Sequence, residues 1–163
     1  MYTIGKELRR GLALAAVMAM MLVVPAGAAG AIEQNVDGVA TFVDECGGQT
    51  SIATLSLEGA FEGCLYTDTI KQARFSDDGV YTERGTETIA GCWDSPEGEK
   101  CGTLSTTYEF IAVFDVDGNQ LSGGCTHPIV GGTGDLAGAS GILVFADDVE
   151  AGTADFRGVI NLP

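Results

Sequence analysis

Positive charge is what this chain has least of. Three of its eight Lys and Arg residues, Lys6, Arg9 and Arg10, stand near the N-terminus. Beyond residue 31 only Lys71, Arg74, Arg84, Lys100 and Arg157 remain, five bases against 22 acids, a net charge of −17. A surface this acidic repels phosphate backbones and anionic headgroups, which argues against nucleic acid and membrane surfaces as partners and favours solubility. Histidine is scarcer still, with His127 the single one. One histidine, and cysteine spacings without a C-x2-C knuckle, argue against a zinc centre, so no metal or other cofactor is expected. Helical periodicity is missing too: past residue 31 glycine recurs every few residues and apolar positions fall two apart rather than three and four apart. There is no internal repeat, linker or low-complexity tract.

The only long apolar run lies in "MYTIGKELRRGLALAAVMAMMLVVPAGAAGA", behind the three basic residues and ahead of small residues in A-x-A arrangements. That order is expected of a cleavable signal-peptide helix over residues 1–31. The run is shorter than the roughly 20 residues of a membrane span and gives way to Pro25 and an Ala/Gly tract. Cleavage is expected after Ala31, with Ala28 as the other choice. Residues 32–163 then form one domain around one core. The last strand pattern runs into "GVINLP", so no sorting tail or anchor is expected and the protein reads as secreted, with no membrane partner after cleavage.

All five cysteines, Cys46, Cys64, Cys92, Cys101 and Cys125, follow the leader. Export would carry them to a compartment where disulfides persist. "CWDSPEGEKC" sets Cys92 and Cys101 on either side of a short Pro/Gly/charged loop, which suits a bridge across the neck of a hairpin. The other three hold one further bridge and one leftover thiol; of the three arrangements, Cys64 with Cys125 is preferred.

The rest reads as strands. In "TLSTTYEFIAVFD" Leu104, Thr106, Tyr108, Phe110, Ala112 and Phe114 share one face, and Ser105, Thr107, Glu109, Ile111 and Val113 the other. "TADFRGVINL" alternates as cleanly, and "GILVFADD" is apolar on both faces. Further runs at "TSIATLSL", "CLYTDTI" and "GVYTERGTETI" bring the total to six or more. Turn signals fall between them, among them Asp78 with Gly79, Asp117 with Gly118, and Gly131 with Gly132. Many short strands in one small domain predict an all-β fold, a sandwich or a closed barrel.

The stretch "GGTGDLAG" resembles a phosphate-cradling loop, but such a loop delivers glycines to a helix N-terminus. Here a strand pattern follows, "ASGILVFADD", and only 25 residues remain. Nucleotide binding is therefore rejected. "DVDGNQL" has oxygen side chains at alternate positions, as a calcium loop does, but Gln120 and Thr126 stand where Gly and Glu are needed, and a hairpin turn is expected instead.

Gly131, Gly132, Thr133, Gly134, Gly138 and Gly141 carry a family resemblance. "IVGGTGDLAGASGILVF" followed by "GTADFRGVINL" resembles the C-terminal third of the dirigent and allene oxide cyclase barrel superfamily. The resemblance covers residues 129–162 and, before them, strand rhythm and glycine spacing. It implies a small, eight-stranded antiparallel β-barrel enclosing an apolar small molecule, without cofactor, and homo-oligomers. It departs in the lack of basic residues around the turn and in the extra cysteines.

Three functions follow as expectations. The first is a secreted barrel binding a small apolar molecule in its lumen, with Tyr66, Trp93 and Tyr108 lining or covering the cavity. Core filling is the plainer role for these aromatics. The second is a cofactor-free isomerase or cyclase of the dirigent or allene oxide cyclase type, with Glu109, Tyr108 and His127 as candidate catalytic groups. Glu109 would have to face the lumen rather than solvent, and His127 to act as acid or base rather than bond a backbone group beside the turn. The third is an envelope-associated structural protein without a ligand.

Overall fold

The computed structural model describes residues 32–163; the expected leader lies outside them. Eight strands follow one another: β1 (Ile32–Phe42), β2 (Thr54–Gly59), β3 (Phe61–Phe75), β4 (Val80–Ser95), β5 (Gly98–Phe114), β6 (Gln120–Gly134), β7 (Ser140–Asp148) and β8 (Thr153–Leu162). Each pairs antiparallel with the next, and β8 returns to β1 from Ile32↔Leu162 to Thr41↔Thr153, closing the barrel. Closure leaves no free sheet edge, so every strand finds ladder partners on both sides. Of the two all-β architectures left open by the strand pattern, the chain adopts the barrel.

The period-2 alternation explains the wall. On β5, Leu104, Thr106, Tyr108 and Ala112 are buried while Ser105, Thr107 and Ile111 face outward; on β8, Ala154, Phe156 and Ile160 point in. β7, apolar on both faces from Ile142 to Ala146, resolves the same way, with Leu143 and Phe145 inside and Ile142 exposed. Each large apolar side chain sealed in this way contributes roughly 1.5–3 kcal/mol.

Turn chemistry sets the hairpins. Gly79 (φ 81°) and Gly118 (φ 85°) take the left-handed backbone at the β3–β4 and β5–β6 turns. In the second, the Asp115 carboxylate accepts from the backbone N–H of Asp117 and of Asn119. Gly131 and Gly132 do not turn: they continue β6 opposite Ser105 and Leu104. The turn comes later, where the N–H of Leu136 donates to the Thr133 carbonyl and that of Ala137 to Gly134. It drives Leu136 and Ala139 into one end of the barrel, 0 % and 3 % exposed.

Two disulfides brace the wall. Cys92 and Cys101 are directly opposed on β4 and β5, as the hairpin-neck reading expects. The second bridge is Cys46–Cys64, and Cys125 is free. The preferred Cys64–Cys125 pairing fails because Cys64 lies on the outer side of β3, under the β1–β2 loop, whereas Cys125 lines the barrel interior. Closing the 18-residue separation contributes roughly 3 kcal/mol on the chain-entropy account. Two disulfides fit an extracellular protein.

Candidate functional site

The barrel is filled unevenly. From its midpoint to the end carrying the β3–β4 and β5–β6 turns, the interior opens into a cavity of about 160 Å³. Phe42, 59 % exposed, stands on its rim, so the space reaches the surface. Leu55, Leu65, Phe145 and Ala154 form an apolar side; Tyr81, Glu83, Glu87, Tyr108, Cys125, His127 and Asp147 form a polar one.

The polar side is built by alternation along four adjacent strands, the last of which, β7, supplies Asp147. On β4, Tyr81, Glu83, Gly85 and Glu87 point inward at every second residue; β5 adds Tyr108, and β6 adds Cys125 and His127 two residues apart. Gly85 is needed where it stands. It pairs with Tyr108, and a Cβ there would lie 2.6 Å from the Tyr108 ring and against the Thr69 carbonyl. Between Thr106↔Ile129 and Glu109↔Thr126 the β5–β6 ladder is interrupted, where Pro128 has no N–H to give.

Two hydrogen-bonded groups result. In the first, the Tyr108 hydroxyl donates to Glu83 Oε1 at 2.5 Å and Tyr81 donates to Oε2 of the same carboxylate. Burial, and then the Glu83 carboxylate that each proton serves, push the Tyr108 phenol well above its usual range. The Tyr81 phenol is raised to about 12, first by its hydrogen bond to Glu83 and then by burial. Both phenols are held protonated, as donors to Glu83.

In the second group, Glu87 is 6 % exposed and His127 1 %. His127 Nδ1 lies 2.6 Å from Glu87 Oε2, Thr67 donates to Oε1 at 3.2 Å, and Cys125 Sγ lies 2.6 Å from His127 Nε2. The Nδ1 to Oε2 approach is close but lacks the alignment of a hydrogen bond, and neither atom has another hydrogen-bond partner among the described residues. In the tautomer with the ring proton on Nδ1, towards the carboxylate, Nε2 is the atom that accepts from the thiol. The His127 ring packs on Phe145 with centroids 4.5 Å apart. Burial, then Glu87, then Asp147 push the Cys125 thiol far above its usual range, so it rests protonated.

No protein-family model matches this chain, and neither a curated protein nor a solved structure matches it. Function therefore rests on the site itself.

The structure brings together two of the expected site residues, Tyr108 and His127. Both line the cavity, and the partner of His127 is a carboxylate and a thiol rather than a backbone group. Glu109 belongs to the opposite face: it is 43 % exposed on the outside of β5 and paired with Arg84 at 2.6 Å. The alternation that puts Tyr108 inside puts its neighbour outside. Trp93 is 1 % exposed in the packed end, away from the cavity. Tyr66 lies outside the wall beneath the β1–β2 loop, its hydroxyl donating to the Cys46 carbonyl at 2.8 Å. Cys92, Glu99 and Cys101 gather their ligand atoms closely, but both sulfurs are spent in the disulfide.

Glu83, Glu87, Tyr81 and Cys125 were missed by the sequence reading. The signal was present in "VYTERGTETIAGCW", where Tyr81, Glu83, Glu87, Ile89 and Trp93 share one parity, and in "CTH", where Cys125 and His127 share another.

Proposed function

We propose that this protein binds a small, largely apolar molecule without an anionic group in the lumen of its barrel. The observation that carries this reading is the cavity of about 160 Å³, mostly apolar in surface, with acid, phenol and imidazole groups set into its wall. Its size matches one ring or a short chain; an engineered apolar cavity of roughly 150 Å³ takes up benzene. Glu83, Glu87 and Asp147 line it, and no Lys or Arg does. A carboxylate ligand would meet like charge there, whereas a neutral or cationic ligand would not. The dirigent and allene oxide cyclase resemblance over residues 129–162 supports the same reading at the level of barrel and lumen. The acidic lining speaks against a fatty-acid anion.

The test is a calorimetric titration of the purified protein with benzyl alcohol, benzylamine and benzoate. Benzyl alcohol and benzylamine are expected to saturate one site, with benzoate weaker by at least about tenfold. Ala53→Phe, at the half-buried rim of the cavity, should weaken both. Absence of saturable binding, or binding indifferent to Ala53→Phe, rejects the lumen as the site.

A second reading, a cofactor-free isomerase, draws support from His127 on the cavity wall, bonded through one nitrogen to Cys125 and facing Glu87 with the other. Accelerated exchange of α-protons of bound cyclohexanone with deuterated solvent, lost in His127→Gln, would favour it over simple binding. The protein is further proposed to be secreted after cleavage at Ala31, in keeping with its two disulfides; the intact mass of protein from culture medium reads both.

A further inference from the structure

Cys125 is the cysteine left without a bridge, and it is placed at the end of a relay. Its sulfur meets His127 Nε2 at 2.6 Å, the other ring nitrogen meets Glu87 at 2.6 Å, and Thr67 holds the second Glu87 oxygen. Nucleophile, base and orienting carboxylate all line the one cavity. Such a set activates a thiol at the moment of attack, because the base takes the proton as the sulfur's electron pair leaves.

The surroundings narrow the electrophile. Acyl transfer concentrates negative charge on an oxygen beside the nucleophile and needs donors aimed there. Around Cys125 stand the acceptors Glu87 and Asp147, and the nearby phenols Tyr81 and Tyr108 already give their protons to Glu83. Conjugate addition makes a lesser demand: its charge is spread over an enolate and no leaving group must be expelled. The lumen, acidic and mostly apolar, excludes anionic electrophiles by the same like-charge argument.

We propose that Cys125 covalently captures a small, neutral, apolar α,β-unsaturated carbonyl compound in the lumen. The proposal rests on the lumen being a ligand site and names the ligand's reactive group. In the step, the S–H proton passes to His127 Nε2 while the sulfur bonds the β-carbon. The C=C π pair shifts into the enolate, and the imidazolium, held by Glu87, returns the proton to the α-carbon. The product is a saturated thioether; no oxidant, reductant or co-reactant enters. Because the half-buried thiol rests protonated, His127 is what makes it a nucleophile.

The experiment incubates the protein with 2-cyclohexen-1-one at neutral pH and follows intact mass and peptide mapping. Cyclohexanone serves as the shape-matched compound without an electrophilic alkene, and glutathione as the free-thiol reference. One adduct on Cys125 is expected, at a rate that saturates with enone and exceeds that of glutathione at least about tenfold. Cys125→Ser should abolish it. Glu87→Gln and His127→Gln should slow it at least about tenfold with the circular dichroism of the fold intact. Glu87→Gln, being isosteric, carries the test if the histidine variant does not fold. Cyclohexanone binding without any enone adduct overturns covalent capture and leaves the lumen site standing; failure of both overturns both. An adduct formed as fast in Glu87→Gln as in the parent overturns the relay.

Discussion

At one end of the barrel Phe61, Trp93, Leu104, Leu136 and Ile160 are sealed from solvent, while at the other Tyr81, Phe110, Tyr108 and His127 stand around a cavity open at its rim. The same strands build both ends. Along β4 the inward residues run from Trp93 and Ile89 to Glu87 and Glu83; along β6 they run from Ile129 to His127 and Cys125. Two local facts separate the ends. The β6–β7 turn folds Leu136 and Ala139 into the closed end as a plug, whereas β4 carries Glu83 and Glu87, and β7 Asp147, into the open one. A carboxylate in a barrel must be bonded or wet. Glu83 and Glu87 are bonded, and the apolar side chains that would fill the remaining space are absent. One end therefore supplies stability, and the other is free to hold a ligand.

The sharpest way to break this contrast is to truncate one aromatic at each end. Trp93→Ala, in the closed end, is expected to cost about 3–5 kcal/mol, since it removes a buried indole and leaves a cavity. Phe110→Ala, on the half-buried side of the open cavity, should cost less than about 1 kcal/mol. Urea unfolding of the two variants measures both, and equal losses would mean that the ends are packed alike.

A smaller, pH-dependent effect should belong to the open end alone. The phenols of Tyr81 and Tyr108 ionise later in the fold than in the unfolded chain, so folding holds their protons more tightly. That contribution to stability is complete below about pH 10, the unfolded value, and is lost as the pH rises through about 12 for Tyr81. The half-buried Cys125 thiol acts with the same sign from the ordinary thiol range of about 8.5 upward. Melting temperatures measured from pH 7 to pH 11 should fall above pH 9 in the parent and fall less in Tyr81→Phe combined with Tyr108→Phe. An unchanged slope would show that the Glu83 network does not set alkaline stability.

The smallest effect is expected outside the wall. The Arg84–Glu109 pair is exposed at 59 % and 43 %, so Glu109→Gln should change stability by no more than about 1 kcal/mol and leave titrations with benzyl alcohol unaltered. A loss of binding in this variant would move the site from the lumen to the outer face.

Much of this was legible residue by residue. Alternation in "TLSTTYEFIAVFD" puts Leu104 and Tyr108 together on one face, and that face is the interior. Glu109 was a candidate for the lumen with solvent exposure as the simpler reading, and it faces solvent with Ile111; alternation alone does not say which face of a strand is the core when both carry apolar residues. His127 was named for its chemistry, but its partners were not: Cys125 stands two residues away in "CTH" and was read as a bridge cysteine, and Glu87 lies 40 residues away on another strand. Cys125 was instead assigned to a bridge, and it proved to lie on the inner side of the wall that carries Cys64 on its outer side.

The sequence by itself determined what depends on neighbours along the chain: an all-β fold, the two faces of each strand, the left-handed turns at Gly79 and Gly118, and a Cys92–Cys101 bridge across one hairpin. Tertiary structure alone decided what depends on register between strands and on the path of loops. It chose closure by β8 on β1, the Cys46–Cys64 bridge under the β1–β2 loop, and the meeting of Glu87 from β4 with His127 and Cys125 from β6. Alternation has a period of two residues and is written in each strand, whereas side chains of β4 and β6 meet inside the lumen only because the ring of strands closes.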